Sequence, residues 1–496
     1  MRPIPPHPVI YEINTWVWLA GISAREGRRV TLASVPEAEW NALGALGVDA
    51  VWLMGVWRRS AAGRDIALRT PALLAGCRQA LPDLQDEDVV GSPYCVREYV
   101  VDACLGGDQG LAAARHELAR RGVSLVLDFV PNHVAPDHGW VTDAPALLVS
   151  GSAEDLAREP GAFLRAGAHV LACGRDPCFP AWPDVVQVNA FAPGLRAAYK
   201  EVLSRIARQC DGVRCDMAML PMNEVFARTW GERAGAPPAE EFWPPLIGGV
   251  RTRHPAFTFI AEAYWDLEWV LQQHGFDYCY DKRLYDRIAC APGSDLRGHL
   301  QADRSYQAHL VRFIENHDEP RAADAFGPER ARAAAALVAS LPGAKLYHEG
   351  QFEGRRAHVP VFLGRRPAEA ADPSTQRFYA RLLRAAHGDV FHYGEWALCE
   401  TTGWPDNDSH LRLVATAWWR GGARQLTVVN LSPEPAQGRV RLPWDSRGHD
   451  WRLTDPISGQ VFDRHGDELS DRGLFVDLPP WAFHVLTVAQ AAGGQP

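Results

Sequence analysis

The stretch GVRCDMAML, residues 212 to 220, combines the composition of a buried strand with two charged side chains. Side chains alternate between the faces of a strand, so Arg214 and Asp216 are expected to share one face. An arginine beside an aspartate favours the ionised carboxylate, the form that nucleophilic or electrostatic chemistry needs. A structural ion pair is the alternative interpretation, because such pairs also occur without catalysis.

Further polar residues fall at or near the ends of three other apolar stretches. They are Asp128, Asn132 and His133 in LDFVPNH, Glu262 in FIAEAYW, and His317 and Asp318 in FIENHDEP. Taken singly, each could be a cap, a salt bridge or a satisfied polar group. Four such clusters at four strand ends, in order along the chain, are hard to explain by packing. They predict one active site at the carboxyl ends of parallel strands.

Eight apolar stretches with strand character alternate with stretches of helical periodicity. The predicted strands cover residues 8–19, 47–57, 122–133, 211–220, 257–265, 276–281, 308–318 and 344–350. Between them lie apolar stripes at helical spacing, formed by Leu111, Ala114 and Leu118 and by Leu195, Tyr199, Val202 and Ile206. The alternation predicts a parallel sheet, and eight strands predict a closed (β/α)8 TIM barrel. A doubly wound open sheet is the alternative, but no GxGxxG motif opens a helix after the first strand.

Two connections are too long for simple barrel turns. Residues 58–105 follow the second predicted strand, and residues 134–187 follow the third. Long strand-to-helix insertions usually build the functional face of a barrel. After about residue 390, short strands with turn signals predict an appended antiparallel β-sandwich. The predicted domains are therefore a barrel from 1–133 and 188–390, a small inserted domain at 134–187 and a β-sandwich at 391–490.

The composition is typical of a soluble globular protein, with 47% hydrophobic and 22% charged residues. A net charge of −9 argues against a nucleic-acid partner or an anionic membrane surface. No stretch approaches the ~18 apolar residues of a membrane helix, and the N-terminus has no apolar signal segment. The ten cysteines lack metal-binding spacing; Cys173 and Cys178 could form a disulfide, but reduced thiols are favoured. We expect a cytoplasmic protein, with its oligomeric state left open.

The ordered motifs resemble the conserved regions of glycoside hydrolase family 13, the α-amylase family. These regions are DFVPNH, GVRCD, the glutamate of IAEAYW, and ENHD. Two further stretches, WPDVVQVN at 182–189 and GSPYCVREY at 91–99, resemble additional motifs of the family. The resemblance spans almost the whole chain. It implies a barrel called the A domain, a B domain inserted after the third strand and a C-terminal β-sandwich.

Carried over residue by residue, the resemblance implies that Asp216 is the nucleophile, Glu262 the general acid/base and Asp318 the transition-state stabiliser. A retaining glycosidase needs two carboxyl groups about 5–5.5 Å apart, one ionised and the other protonated. Arg214 would keep Asp216 ionised. Glu262 has apolar sequence neighbours and no adjacent cation in the sequence, which favours its protonated form.

The resemblance also implies a set of substrate-binding residues. His133 and His317 would bind sugar hydroxyls, Tyr94 would stack on the sugar ring, and Asp128 would orient Arg214. Trp265 falls beside the predicted cleft and is a candidate platform for a further sugar.

Two positions depart from the family pattern. Many family members carry a lysine and a histidine three and four positions after the nucleophile, where this chain has Met219 and Leu220. Buried sugar hydroxyls need polar partners, so these apolar residues predict weak binding beyond the first leaving-group sugar and a preference for short substrates. The alternative is that both side chains turn into the packing of the barrel.

The chemistry requires no cofactor, and no residue is assigned to a metal. Asn132 matches an asparagine that binds a structural calcium in the family. The rest of that site cannot be traced through residues 134–187, so a structural calcium is left open.

The motifs favour a retaining α-glucoside hydrolase that acts on α-linked glucose oligosaccharides of the maltooligosaccharide or α-1,4-glucan type. A transglycosylase or a trehalose-synthase-type isomerase would use the same catalytic residues and is the first alternative. A non-catalytic sugar-binding or transporter-associated relative is disfavoured, because all three carboxylates are present. A metal-dependent barrel hydrolase using His133, His317 and Asp318 is disfavoured because the first strand lacks an HxH pair.

Overall fold

The computed structural model of the chain describes residues 3–290 and 294–491. The described residues divide into two compact units. The first contains residues 3–4, 11–280 and 357–368, and the second contains residues 5–10, 281–290, 294–356 and 369–491.

The first barrel strand is shorter than its apolar stretch suggests. We predicted a strand over residues 8–19, but β1 ends at Asn14, whose side chain accepts a hydrogen bond from Val17 N and caps the following helix. The elements up to the third barrel strand are β1 (Val9–Asn14), α1 (Thr15–Glu26), α2 (Glu37–Ala45), β2 (Ala50–Met54), β3 (Trp57–Arg59), α3 (Ala61–Leu68), α4 (Pro71–Ala80), β4 (Val96–Val101), α5 (Gly107–Arg120) and β5 (Ser124–Phe129).

The insertion after β5 forms a small antiparallel sheet with strand order β6-β9-β8-β7. Its elements are β6 (His133–Val134), α6 (Trp140–Asp143), α7 (Ala153–Arg158), β7 (Phe163–Ala166), β8 (His169–Gly174) and β9 (Trp182–Gln187). This sheet lies where the sequence predicts the inserted domain. The domain boundaries themselves stay a prediction.

The remaining barrel elements continue the alternation of helix and strand. They are α8 (Leu195–Gln209), β10 (Gly212–Cys215), α9 (Asn223–Trp230), α10 (Trp243–Arg251), β11 (Thr258–Ala261), α11 (Glu268–Gln273), β12 (Tyr278–Tyr280), α12 (Lys282–Cys290), α13 (Ser294–Leu300), α14 (Arg304–Ala308), β13 (Leu310–Arg312), α15 (Ala322–Ala325), α16 (Pro328–Ser340), β14 (Ala344–His348), α17 (Pro373–Ala385) and α18 (Asp389–Tyr393). Short 3-10 helices lie at Asp86–Asp88, Ala103–Leu105, Pro145–Leu147, Gly231–Ala234 and Ser409–Arg412.

The predicted (β/α)8 barrel is confirmed. Eight parallel strands close in the order β1-β14-β13-β12-β11-β10-β5-β2. The predicted apolar stripes are the buried faces of α5 and α8, which pack because every third or fourth residue is apolar. The carboxyl ends of β5, β10 and β11 therefore bring the candidate residues that follow them to one rim of the barrel.

The predicted C-terminal β-sandwich is also confirmed. It contains β15 (Glu395–Cys399), β16 (Thr401–Thr402), β17 (Leu413–Arg420), β18 (Ala423–Asn430), β19 (Ala436–Val440), β20 (Asp450–Thr454), β21 (Val461–His465), α19 (Gly466–Asp471), β22 (Leu474–Leu478) and β23 (Phe483–Gln490). One sheet has the order β15-β17-β18-β23-β20-β21 and the other has the order β16-β19-β22. A single apolar core joins both sheets, with Leu426 and Trp451 from the first and Val440 and Val476 from the second.

Two findings bear on the remaining sequence expectations. Within the described ranges, no helix is long and apolar enough to cross a membrane. All ten cysteines are free thiols, so the disulfide considered for Cys173 and Cys178 is not formed.

Gly343, directly before β14, has a backbone conformation that excludes other residues. Its φ is +91°, and a Cβ atom there would lie far inside van der Waals contact with Leu310 O. We expect Gly343→Ala to lower the free energy of unfolding by about 3 kcal/mol or more, measured by urea denaturation. Gly459→Ala is the matched control, because Gly459 has φ +82° but open space around the added methyl, so only about 1–2 kcal/mol should be lost. Equal losses in the two variants would contradict the packing argument.

Candidate active site

The site begins where β10 and β11 end. The register places Arg214 of β10 opposite Asp128 of β5 and Ile260 of β11. We predicted a strand over residues 211–220, but β10 ends at Cys215 and Met217 has φ +43°. Backbone hydrogen bonds from Glu262 N to Cys215 O and from Ala218 N to Glu262 O keep the two segments paired beyond the strands. Asp216 and Glu262 thus lie side by side at one end of the barrel.

One guanidinium group contacts both of these carboxylates. Arg214 Nη1 donates to Asp216 Oδ1 at 2.7 Å, which confirms the pair expected from strand alternation. Arg214 Nη2 lies 2.8 Å from Glu262 Oε2, a contact that is an ion pair rather than an aligned hydrogen bond. The three side chains are only 1%, 7% and 4% exposed, so water screens these interactions little.

The expectation that Glu262 has no adjacent cation is wrong. The sequence neighbours of Glu262 are apolar, but the cation reaches it from the neighbouring strand. Met217 N also donates to Glu262 Oε2 at 2.6 Å, and the Tyr264 hydroxyl donates to Oε1 at 2.9 Å. All three contacts favour the ionised form of Glu262. The sequence analysis did not assign Tyr264, although its position two residues after Glu262 was a usable signal.

Aromatic rings surround the Arg214 guanidinium. Its Cζ lies 5.3 Å from the Trp52 ring, 5.1 Å from the Tyr94 ring and 5.8 Å from the Tyr280 ring. Burial alone lowers the pKa of Arg214, but Glu262 foremost, with the two tyrosines and Asp216, raises it well above its ordinary value. The rings stabilise a desolvated cation through their electron-rich faces. Arg214 is therefore a permanent positive charge inside the barrel.

Asp128 supports this cluster through Trp52. Its Oδ1 accepts a hydrogen bond from Trp52 Nε1 at 3.1 Å, and its Oδ2 accepts one from Gly55 N at 2.9 Å. Both interactions fix the indole that lies against Arg214. Asp128 thus acts on the cluster through Trp52, an intermediary that sequence reasoning missed, and its role in orienting Arg214 stays a prediction.

His133 and Trp265 lie in the same unit as the carboxylates. His133 is 5% exposed, and its ring centroid lies 5.3 Å from that of Trp182. Burial lowers the pKa of His133 to about 4, so the imidazole is neutral at pH 7. Trp265 is half-buried, and both it and Asp266 have positive φ values near +60°. Two consecutive residues in this conformation make a sharp turn directly after the segment that carries Glu262.

His317 and Asp318 belong to the second unit, in the loop after β13. His317 Nε2 lies 3.0 Å from Asp318 Oδ2, and the Asp318 side chain is 42% exposed while that of His317 is buried. Asn316 Oδ1 accepts hydrogen bonds from Asp318 N and Glu319 N at 2.9 Å and so holds the loop. Asp318 is therefore an accessible carboxylate on a defined turn.

Met219 and Leu220 do not form a wall of an open cleft. Their exposed fractions are 0% and 2%, and Trp243 Nε1 donates to the adjacent Ala218 O at 2.7 Å. The expectation that these side chains face the leaving-group side of the substrate is wrong, because the segment packs into the protein. The predicted preference for short substrates therefore loses its basis.

The residues around Asn132 do not fit a structural calcium. Its Oδ1 accepts a hydrogen bond from Gln187 Nε2 at 2.9 Å, and the same nitrogen donates to Asn132 O at 2.8 Å. An amide donor thus lies where a cation would need an oxygen ligand. In the described part of the chain, no group of three or more potential acidic, histidine or cysteine ligands includes His133, His317 or Asp318 either.

Comparisons with known proteins agree with this architecture. No protein-family model matches the chain. The α-amylase MalA of Haloarcula japonica is 25% identical over 360 residues, which make up 70% of this chain and 47% of that protein. The chain thus spans about half the length of this curated relative.

Solved structures share the fold along nearly the whole chain. The maltogenic α-amylase AmyB of Thermotoga neapolitana is 18% identical, with a TM-score of 0.66 and coverage of 97% of this chain and 98% of that chain. The α-amylase of Geobacillus thermoleovorans, solved with acarbose, is 15% identical, with a TM-score of 0.67 and coverage of 99% and 100%. The cyclic α-maltosyl-(1→6)-maltose hydrolase of Arthrobacter globiformis, solved with maltose, is 17% identical, with a TM-score of 0.62 and coverage of 97% and 98%.

The closed barrel, the inserted sheet and the C-terminal sandwich define a barrel protein with the architecture of these glycoside hydrolases. Together with the four ordered sequence motifs and the curated relative, they confirm the predicted resemblance. The chain is thus similar to the α-amylase family in its ordered sequence motifs and in its fold.

The buried cluster makes stability depend on Arg214 and on pH. Arg214→Met removes the cation that contacts the buried Asp216 and Glu262, so we expect a loss of about 3–5 kcal/mol at pH 7 in urea unfolding. The loss should shrink as the pH falls, because protonation of either carboxyl group removes a buried negative charge. Arg452→Met is the control, since Arg452 pairs with Asp463 on the surface and its removal should change stability little. A loss that is independent of pH would contradict the charge argument.

Proposed function

We propose that the chain is a retaining α-glucoside hydrolase that cleaves α-linked glucose oligosaccharides or α-1,4-glucans through a covalent glycosyl-enzyme. The observation that carries this proposal is the buried guanidinium of Arg214 in contact with both Asp216 and Glu262. The names of the curated relative and of the structural neighbours support α-glucans as the substrate class.

Asp216 is the proposed nucleophile. A nucleophilic carboxylate must stay ionised in a site from which water is excluded, and a charge-assisted hydrogen bond from Arg214 supplies that stabilisation. We propose that this ionised carboxylate attacks the anomeric carbon of the sugar. The sharp backbone turn at Met217 ends the strand and presents the side chain at the rim of the barrel.

Glu262 is the proposed general acid and base. In this proposal, repulsion between the two neighbouring carboxylates, which share one guanidinium, keeps a proton on Glu262 against the contacts that favour its ionised form. When Glu262 gives its proton to the leaving oxygen, Arg214, Met217 N and Tyr264 stabilise the carboxylate that forms. In the second step the same carboxylate takes a proton from water as that water attacks the glycosyl-enzyme.

The family resemblance supports further roles in this proposal for four residues: Asp318, His317, His133 and Tyr94. Asp318 would stabilise the positive charge that develops on the sugar, a role that needs position rather than proton transfer. Neutral His133 both donates and accepts hydrogen bonds, which suits it to a sugar hydroxyl.

Transfer to a sugar acceptor uses the same glycosyl-enzyme, so products from maltose, maltooligosaccharides, trehalose and starch distinguish hydrolase from transglycosylase or isomerase. A cytoplasmic location remains part of the proposal, and the ten free thiols support it.

Substitution of the two carboxylates tests this division of labour. Asp216→Asn should abolish nearly all turnover, whatever the leaving group. Glu262→Gln should lower kcat/KM for maltotriose about 10²–10⁴-fold but spare activated aryl glycosides, since only a poor leaving group needs the proton. Glu98→Gln is the control, because Glu98 is exposed and pairs with Arg58 on the surface. Equal losses on both substrates would exclude Glu262 as the acid.

A further inference from the structure

The outer face of the three-stranded sheet β16-β19-β22 carries exposed aromatic and polar side chains. In β22 and β19 the side chains alternate between buried and exposed positions, as expected when one face packs on the core. Val440 and Val476 point inward, whereas Phe475 and Asp477 of β22 lie on the outer face with Gln437 and Arg439 of β19.

Two aromatic rings are exposed together on this face. Trp404 and Phe475 are each 40% exposed, and their ring centroids lie 6.1 Å apart at an interplanar angle of 38°. Trp404 follows β16 and begins a tight turn in which Asn407 N donates to Trp404 O at 3.0 Å and Asp406 has φ +71°. The indole is therefore held by a defined backbone turn beside Phe475.

Polar and charged groups flank the two rings. Gln437 Nε2 donates to Asp477 Oδ2 at 3.0 Å across the two strands. Arg439 lies directly opposite Phe475, with its Cζ 5.9 Å from that ring, and its Nη1 is 3.9 Å from Glu468. Arg439 thus has an opposite charge nearby, and Asp477 accepts a hydrogen bond from a neutral amide.

We propose that Trp404 and Phe475, flanked by Gln437, Arg439 and Asp477, form a second carbohydrate-binding site that holds a neutral α-glucan chain. This inference rests on the proposed function for its substrate class. The C–H faces of a pyranose are apolar and pack on aromatic rings, while its equatorial hydroxyls need donors and acceptors at the ring edges. Two tilted rings can hold successive sugars of a curved chain.

A protein partner fits this face less well. Stable protein interfaces bury about 800 Å² on each side, and charged residues are rare at their centre. Here the apolar part is limited to two rings, and an arginine and an aspartate lie beside them. A short neutral polymer needs no larger apolar area.

The test is affinity electrophoresis of the full chain in gels that contain soluble starch or glycogen. All proteins carry Asp216→Asn so that the polymer is not digested. Trp404→Ala with Phe475→Ala should raise the apparent dissociation constant about fivefold or more. Trp404→Tyr with Phe475→Tyr keeps both rings and should retain binding. Tyr393→Ala is the control, because Tyr393 is 54% exposed in the same unit but lies outside this face.

In the otherwise wild-type enzyme, the paired alanine substitutions should leave kcat/KM for maltotriose unchanged. The binding measurement does not need turnover, so it stays informative if the proposed hydrolase activity fails. Three results would overturn the proposal. Starch could retard all variants equally, Tyr393→Ala could lose as much binding as the paired alanine substitutions, or starch could fail to retard the protein at all. Conversion of a dimer to a monomer by the alanine substitutions with starch binding unchanged would also overturn it, since the face would then be a subunit contact.

Discussion

A guanidinium group removed from water must be compensated by its surroundings, and the core of the first unit is arranged around that requirement at Arg214. Two carboxylates neutralise the charge, and three aromatic rings lie close to the guanidinium. Asp128 is needed one step further out, because it fixes the indole of Trp52. Removal of one partner would leave another buried charge exposed to its full desolvation cost, so the cluster acts as a unit.

The barrel supplies what this cluster needs. The parallel register places Asp128 opposite Arg214, and Glu262 directly follows the end of β11. The end of β10 at Cys215 frees the backbone to turn at Met217. That turn directs Met217 N to Glu262 and lets Asp216 meet the arginine of its own strand. In a longer regular strand, Met217 N would take part in the backbone hydrogen bonds of the sheet and could not donate to the Glu262 side chain. The strained residue therefore serves the proposed chemistry.

The sequence predicted the barrel, the sandwich and the Arg214–Asp216 pair because each depends on local periodicity. The expectation that no cation lies beside Glu262 failed, because Arg214 reaches it from a neighbouring strand and its own sequence neighbours are apolar. The expectation for Met219 and Leu220 failed for the reverse reason: the family pattern suggested a cleft position, but apolar side chains were free to pack inward. Trp52 and Tyr280 were not assigned, since only the closed barrel brings their rings to Arg214.

The central claim is that the Arg214-paired carboxylate of Asp216 forms a covalent bond to the sugar. A 5-fluoro-α-glucosyl fluoride, or its maltooligosaccharide analogue, forms such an intermediate readily and releases it slowly, because the fluorine destabilises the cationic transition states. Mass spectrometry of a protease digest should find the fluorosugar esterified to the peptide that contains Asp216. A label on Glu262 or Asp318 would contradict the account. So would inactivation of the enzyme with no labelled peptide.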